Sequence, residues 1–142
     1  MEQDTRRRLE EVLDREIEAA HSLATTLAAE RTALTGDSPQ AVEQQSAAKI
    51  QILETIEKLE AERRDLWATP GLGLVATVAE RWRALMELMA GCRSANDVNG
   101  HIIHVRQHQV QQLIDIVRGG PAITYDPRGK TFARALRALA RA

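Results

Sequence analysis

The chain is poor in aromatic side chains: Tyr125, Phe132, Trp67 and Trp82 are all it has in 142 residues. Sheets draw on aromatic and β-branched residues, so this scarcity, beside an abundance of Ala, Leu, Glu, Gln and Arg, excludes a β-rich fold and favours long amphipathic helices. Cysteine is nearly absent as well. Cys92 stands alone, so no internal disulfide can form, which suits a reducing compartment and makes the cytoplasm the expected location. Long hydrophobic runs are also missing. The stretch around Leu72 to Val78 is cut off by Glu80, Arg81 and Arg83, so no membrane span is expected. The opening residues Glu2, Asp4, Arg6, Arg7 and Arg8 have no apolar core behind them, so no signal peptide is expected either.

An excess of one charge is lacking overall, with a formal net charge of -1, yet the charges are unevenly placed. Residues 1–120 hold 14 basic and 19 acidic side chains, whereas residues 121–142 hold five basic and one acidic. An acidic body with so short a basic end argues against nucleic acid as a partner. The 44% hydrophobic content is enough for one core shared by a few helices. The expected fold is all-α: an antiparallel bundle of three long helices with coiled-coil-like packing over 1–120. Residues 121–142 are expected to form a flexible linker and a short, mobile amphipathic helix.

Periodicity carries that expectation. A first helix from about Thr5 to Thr35 shows Leu13, Ile17, Ala20, Ala24, Leu27 and Leu34 at alternating steps of four and three. Gly36-Asp37-Ser38-Pro39 then supplies a stop, a cap and a proline suited to a first helical turn. A second helix from about Pro39 to Trp67 places Val42, Ile52, Ile56, Leu59 and Leu66 on its seam, with Gln45, Lys49 and Arg63 as polar members. Pro70, Gly71 and Gly73 break the chain again.

The third segment has the clearest pattern. Val78, Trp82, Leu85, Met89, Cys92, Asn96, Asn99, Ile103, Arg106, Val110, Leu113 and Val117 follow the four-three alternation without a slip. The phase survives Asn99-Gly100, so one long helix from about Leu74 to Arg118 is expected rather than two. At 1.5 Å per residue it would be roughly 65 Å long against roughly 45 Å for each of the others. Val110, Leu113, Ile114 and Val117 should then form an uncovered apolar stripe that needs a bent helix, the folded-back tail or a partner. Beyond Gly119-Gly120-Pro121, Phe132, Leu136 and Leu139 stand at i, i+4 and i+7 with Arg134, Arg137 and Arg141 between them. A helix this short is marginal alone and should order on docking, more readily in a protein groove than on a membrane.

Motifs for chemistry are sparse. His104 and His108 are one helical turn apart and could share a metal, with His101 nearby, but no Cys or inward carboxylate completes a ligand set, so no metal is assigned. Neither His101, followed by Ile102-Ile103-His104, nor His104, followed by Val105-Arg106-Gln107, has the Lys-Gly pattern of a histidine phosphotransfer domain. Cys92 falls on the apolar seam and is expected to pack, while Asn96 and Asn99 on that seam are expected to fix register. There is no glycine-rich phosphate loop, no Gly-x-Ser-x-Gly elbow and no carboxylate pair turned inward by the periodicity. The chain is expected to be no enzyme and to need no cofactor.

A set of residues in order does resemble a known family. Lys49 with Leu53, Leu59-Glu60-x-x-Arg63, Trp82-x-x-Leu85, Cys92, Asn96-x-x-Asn99-Gly100, Ile102-Ile103, Val110, Leu113, Gly119 and Tyr125-Asp126-Pro127-x-Gly129 together are similar to the flagellar export chaperones of the FlgN family. The resemblance implies a cytoplasmic chaperone of flagellar type III export. Its cargo would be the hook-associated proteins of the hook–filament junction, bound by their terminal helical segment, kept from associating early and brought to the export gate. By that resemblance Phe132, Leu136 and Leu139 would face cargo, Val110, Leu113 and Val117 would line the groove that they or the cargo fill, and Tyr125 would contact the gate. The rival reading is a structural coiled-coil adaptor whose uncovered stripe pairs with a second copy as a homo-oligomer.

Overall fold

The computed structural model describes residues 1–119. Three α-helices account for nearly all of them: α1 (Glu2–Thr35), α2 (Pro39–Trp67) and α3 (Ala76–Val117), with one 3-10 turn, Leu72–Leu74, before the last. The chain divides into two compact units, Met1–Asn96 and a second beginning at Asp97; α3 contributes to both.

In the first unit, the reversal between α1 and α2 is built as its residues suggest. Ser38 caps α2, its Oγ accepting the Ala41 N–H at 3.2 Å, and Pro39 takes the first helical position where its missing N–H costs nothing. Gly36 caps the C-terminus of α1 in an extended rather than a left-handed conformation, φ -96°, its N–H donating to the Ala33 carbonyl. At the second corner Gly71 does use the left-handed region, φ 85°, a conformation costly for any residue with a Cβ. That turn delivers Leu72 into the core and lays Gly73 against the indole of Trp67, where a Cβ would come within 3.1 Å of Cζ2.

The core of this unit is two apolar layers. One gathers Leu9, Leu13 and Ala20 from α1, Leu72 from the corner and Val78 and Leu85 from α3, with Leu66 and Trp67 of α2 packed against it. The other gathers Leu23, Leu27 and Cys92, flanked by Ile52 and Ile56. Each fully buried leucine of this set contributes roughly 2 kcal/mol of transfer free energy.

The seam of α1 differs from the one its sequence suggests. Its buried residues are Leu9, Val12, Leu13, Glu16, Ala20, Leu23, Leu27, Glu30 and Leu34. Apart from Val12 they follow an unbroken four-three alternation. Ile17 is only half-buried and Ala24 is exposed. The expected phase had stepped around the two glutamates, because an apolar count cannot include a charged residue whose partner lies on another helix. The periodicity suggests no inward carboxylate pair; the structure buries two carboxylates singly, each against a cation of α2, with Glu16 3% exposed and Glu30 0%.

α3 is one helix through Asn99-Gly100, as its unbroken phase suggests. In the second unit Asn99 is buried, whereas Arg106, expected on the seam, is exposed.

Candidate functional site

The polar members of the three seams meet in two layers in the first unit. In one, Arg63 of α2 donates through Nε to both carboxylate oxygens of Glu16 on α1, at 2.9 and 3.1 Å, and its guanidinium lies 4.6 Å from the centroid of the Trp82 ring of α3. In the other, Lys49 of α2 pairs with Glu30 of α1 at 3.0 Å and donates to Asn96 Oδ1 of α3 at 3.2 Å, while Ser46 Oγ donates to Glu30 at 3.2 Å. Glu16 to Glu30, Arg63 to Lys49 and Trp82 to Asn96 are each two heptads. The two layers therefore repeat one arrangement, with α2 running against α1 and α3. Glu10 with Thr77 and Asp14 with Arg81 add a parallel α1–α3 edge, at 2.6 and 2.9 Å.

These groups hold the bundle rather than do chemistry. Burial pushes the Glu16 carboxyl above its usual range, and the adjacent Arg63 pulls it back only in part. Burial also raises the Cys92 thiol, which donates to the Ala20 carbonyl at 3.5 Å. Such a thiol is a packed side chain and no nucleophile. The hydrogen bond to Asp14 raises the Arg81 guanidinium further above its usual range.

A groove in the same unit, about 220 Å³ in volume, is lined by Leu23, Leu27, Leu53, Met89 and Cys92, with Lys49, Arg93 and Asn96 at its polar side. Sequence reasoning missed it, since it depends on how three helices converge. One sign of it in the sequence is Leu53, an apolar residue of α2 just off the seam and 43% exposed.

The described residues expected to line a binding groove all fall in the second unit. Val110, Leu113 and Val117 are 55%, 62% and 85% exposed, and Ile114 and Ile116 are exposed beside them. Val110, Leu113, Ile114 and Val117 stand at i, i+3, i+4 and i+7, so they share one face of α3. Large aliphatic groups gathered on one exposed helix face would gain transfer free energy on being covered. Phe132, Leu136, Leu139 and Tyr125 lie outside the described residues. His101 and His104 are exposed and His108 is half-buried. Among the described residues no group of three or more His, Cys, Asp or Glu could hold a metal, and no helix is long and apolar enough to cross a membrane.

Comparison with known families decides what the arrangement belongs to. Residues 1–132 match the family model described as FlgN protein. The chain belongs to the FlgN family. The match spans all the helices described above and, with them, both polar layers and the exposed face of α3. No curated protein and no solved structure gives a significant match. FlgN proteins are flagellar export chaperones for hook-associated proteins and are not enzymes. That agrees with a helical chain whose inward charges are tied to each other in the two layers.

Proposed function

We propose that this FlgN-family chain is a cytoplasmic chaperone of flagellar type III export that binds the C-terminal helical segment of hook-associated proteins. It prevents their premature association and delivers them to the export gate. The observation that carries this reading is the face formed by Val110, Leu113, Ile114 and Val117, exposed although all four are large and aliphatic. A terminal cargo helix that would otherwise self-associate has an apolar stripe of its own, and laying it along this face removes both stripes from water. Phe132, Leu136 and Leu139 face the cargo. The basic residues among them, Arg134, Arg137 and Arg141, steer acidic cargo and make association salt-dependent. Tyr125 contacts the gate, and binding and release need no nucleotide or metal.

The test is calorimetric titration with the C-terminal helical fragment of a hook-associated protein from the same organism. Three chains are compared: the full-length protein, its Leu113→Asp variant, and a version ending at Gly120. Submicromolar binding by the full chain that is weakened by Leu113→Asp and lost on truncation supports the proposal. Equal binding by all three would remove cargo from this face. Absence of binding by the full chain, with a stable mass twice that of one chain, would favour the structural adaptor instead.

A further inference from the structure

His104 and His108 stand one turn apart on α3, both in the unit that begins at Asp97. Their Nε2 atoms are 3.3 Å apart, and the rings meet edge to face with centroids 4.6 Å apart. Two zinc–imidazole bonds of about 2.0–2.1 Å, opened to the tetrahedral angle, separate their nitrogens by about 3.3 Å. The spacing of the two nitrogens in the protein thus matches the bite of a tetrahedral ion. We infer that His104 and His108 form a site for one divalent transition-metal ion of the zinc class, with the two imidazoles as its protein ligands and water completing the shell.

The donor type agrees with this ion class. Neutral imidazole suits zinc, copper and nickel, whereas calcium and magnesium need oxygen-rich sites. Each Nε2 must offer its lone pair, so both rings carry their proton on Nδ1 when the ion is bound. The hydrogen bond that one Nε2–H can give the other is replaced by two metal bonds. Asp115, two turns beyond His108, is engaged by Gln111 Nε2 at 3.0 Å and is not needed as a ligand. His101 precedes His104 by three residues and remains outside the pair, in keeping with the absence of any three-ligand group among the described residues.

A metal bridging residues four apart staples a helical turn. Because the ion binds the helical form and not the frayed one, it stabilises that form by mass action. The stapled turn directly precedes Val110, so the ion stiffens the part of α3 that carries the exposed apolar face. The assignment of the site does not depend on what that face binds.

The experiment is calorimetric titration of zinc chloride into the full-length chain in a non-chelating buffer, with light scattering and a thermal melt alongside. His104→Ala, His108→Ala, the milder His104→Gln, and the control variants His101→Ala and His21→Ala are measured in the same way. One zinc per chain at unchanged mass, a higher Tm with zinc, loss of both effects in each His104 and His108 variant, and their retention in the two controls are expected. Undiminished binding in His108→Ala would overturn the assignment, and so would one zinc shared by two chains or no zinc binding by the full chain. Circular dichroism of each variant confirms that lost binding is not lost folding.

Discussion

Arg63 joins Glu16 by two hydrogen bonds from a single nitrogen while its guanidinium faces the ring of Trp82, so one side chain of α2 ties α1 and α3 together. Glu16 is 3% exposed, and a buried carboxylate without its cation is among the costlier defects a core can hold. Arg63→Met should therefore lower the free energy of unfolding by on the order of 3 kcal/mol. Arg63→Lys keeps the charge but not the planar contact with Trp82, and should cost about 1 kcal/mol. Replacing both partners, Glu16→Leu with Arg63→Met, should recover most of the loss. Urea denaturation of the four proteins measures the order, and a double variant as unstable as Arg63→Met would contradict it.

Glu16 also sets a pH dependence. Desolvation raises its pKa above the ordinary 4.5, and the opposing pull of Arg63 is smaller. The folded state therefore holds this proton more tightly than the unfolded state, so stability from this group is greatest at low pH and declines as pH rises from about 4.5 through the raised pKa. Glu16→Gln cannot titrate. The unfolding free energy of the natural chain minus that of Glu16→Gln should accordingly fall as pH rises through this window and level off above it. Denaturation of the two proteins at a series of pH values tests the sign: a difference that grows with pH would mean that Arg63 outweighs burial.

The second layer tests whether the polar groups choose the register. Lys49 lies 3.0 Å from Glu30, whose side chain is wholly enclosed. Lys49→Glu would set two carboxylates against each other in that space and should destabilise the bundle by several kcal/mol, on the order of 3. Adding Glu30→Lys restores opposite charges and should regain more than about 1 kcal/mol of that loss, a non-additivity a double-mutant cycle reads directly. Sliding α2 by one heptad against α1 would separate both Arg63 from Glu16 and Lys49 from Glu30. The pairs thus penalise wrong registers that apolar contacts alone tolerate.

The helices were legible because their limits and phases are local. The Ser38-Pro39 start, the Pro70-Gly71 break and the Val78-to-Val117 alternation each act through neighbouring residues, and each element lies within a few residues of its expected range. Lys49, Arg63 and Asn96 stand out in the sequence as polar seam positions, but their purpose depends on the helices they face. For the same reason apolar periodicity skips Glu16 and Glu30 and shifts the expected α1 seam to Ile17 and Ala24. The groove floored by Leu23, Leu27 and Met89 was illegible because three separate segments define it. Val110, Leu113 and Val117 could be singled out because an apolar stripe at helical spacing is visible in one segment alone, and each is exposed. What lies on that stripe is a question about a partner.

Gly100 offers a test of helix continuity in α3. Asn-Gly is a strong turn sequence, and a chain that turned there would need the glycine's freedom at positive φ. In the protein Gly100 lies inside α3, positive φ is confined to Gly71 and Gly119 among the described residues, and a Cβ added at Gly100 would meet no atom within 4 Å. Alanine there removes unfolded-state entropy and fills open space, so Gly100→Ala should stabilise by about 0.5–1 kcal/mol and raise Tm by roughly 2–4 °C. Thermal melting followed by far-ultraviolet circular dichroism reads the shift. A lower Tm in Gly100→Ala would mean that the glycine serves a bend, and α3 would then be two helices whose matching phases are coincidental.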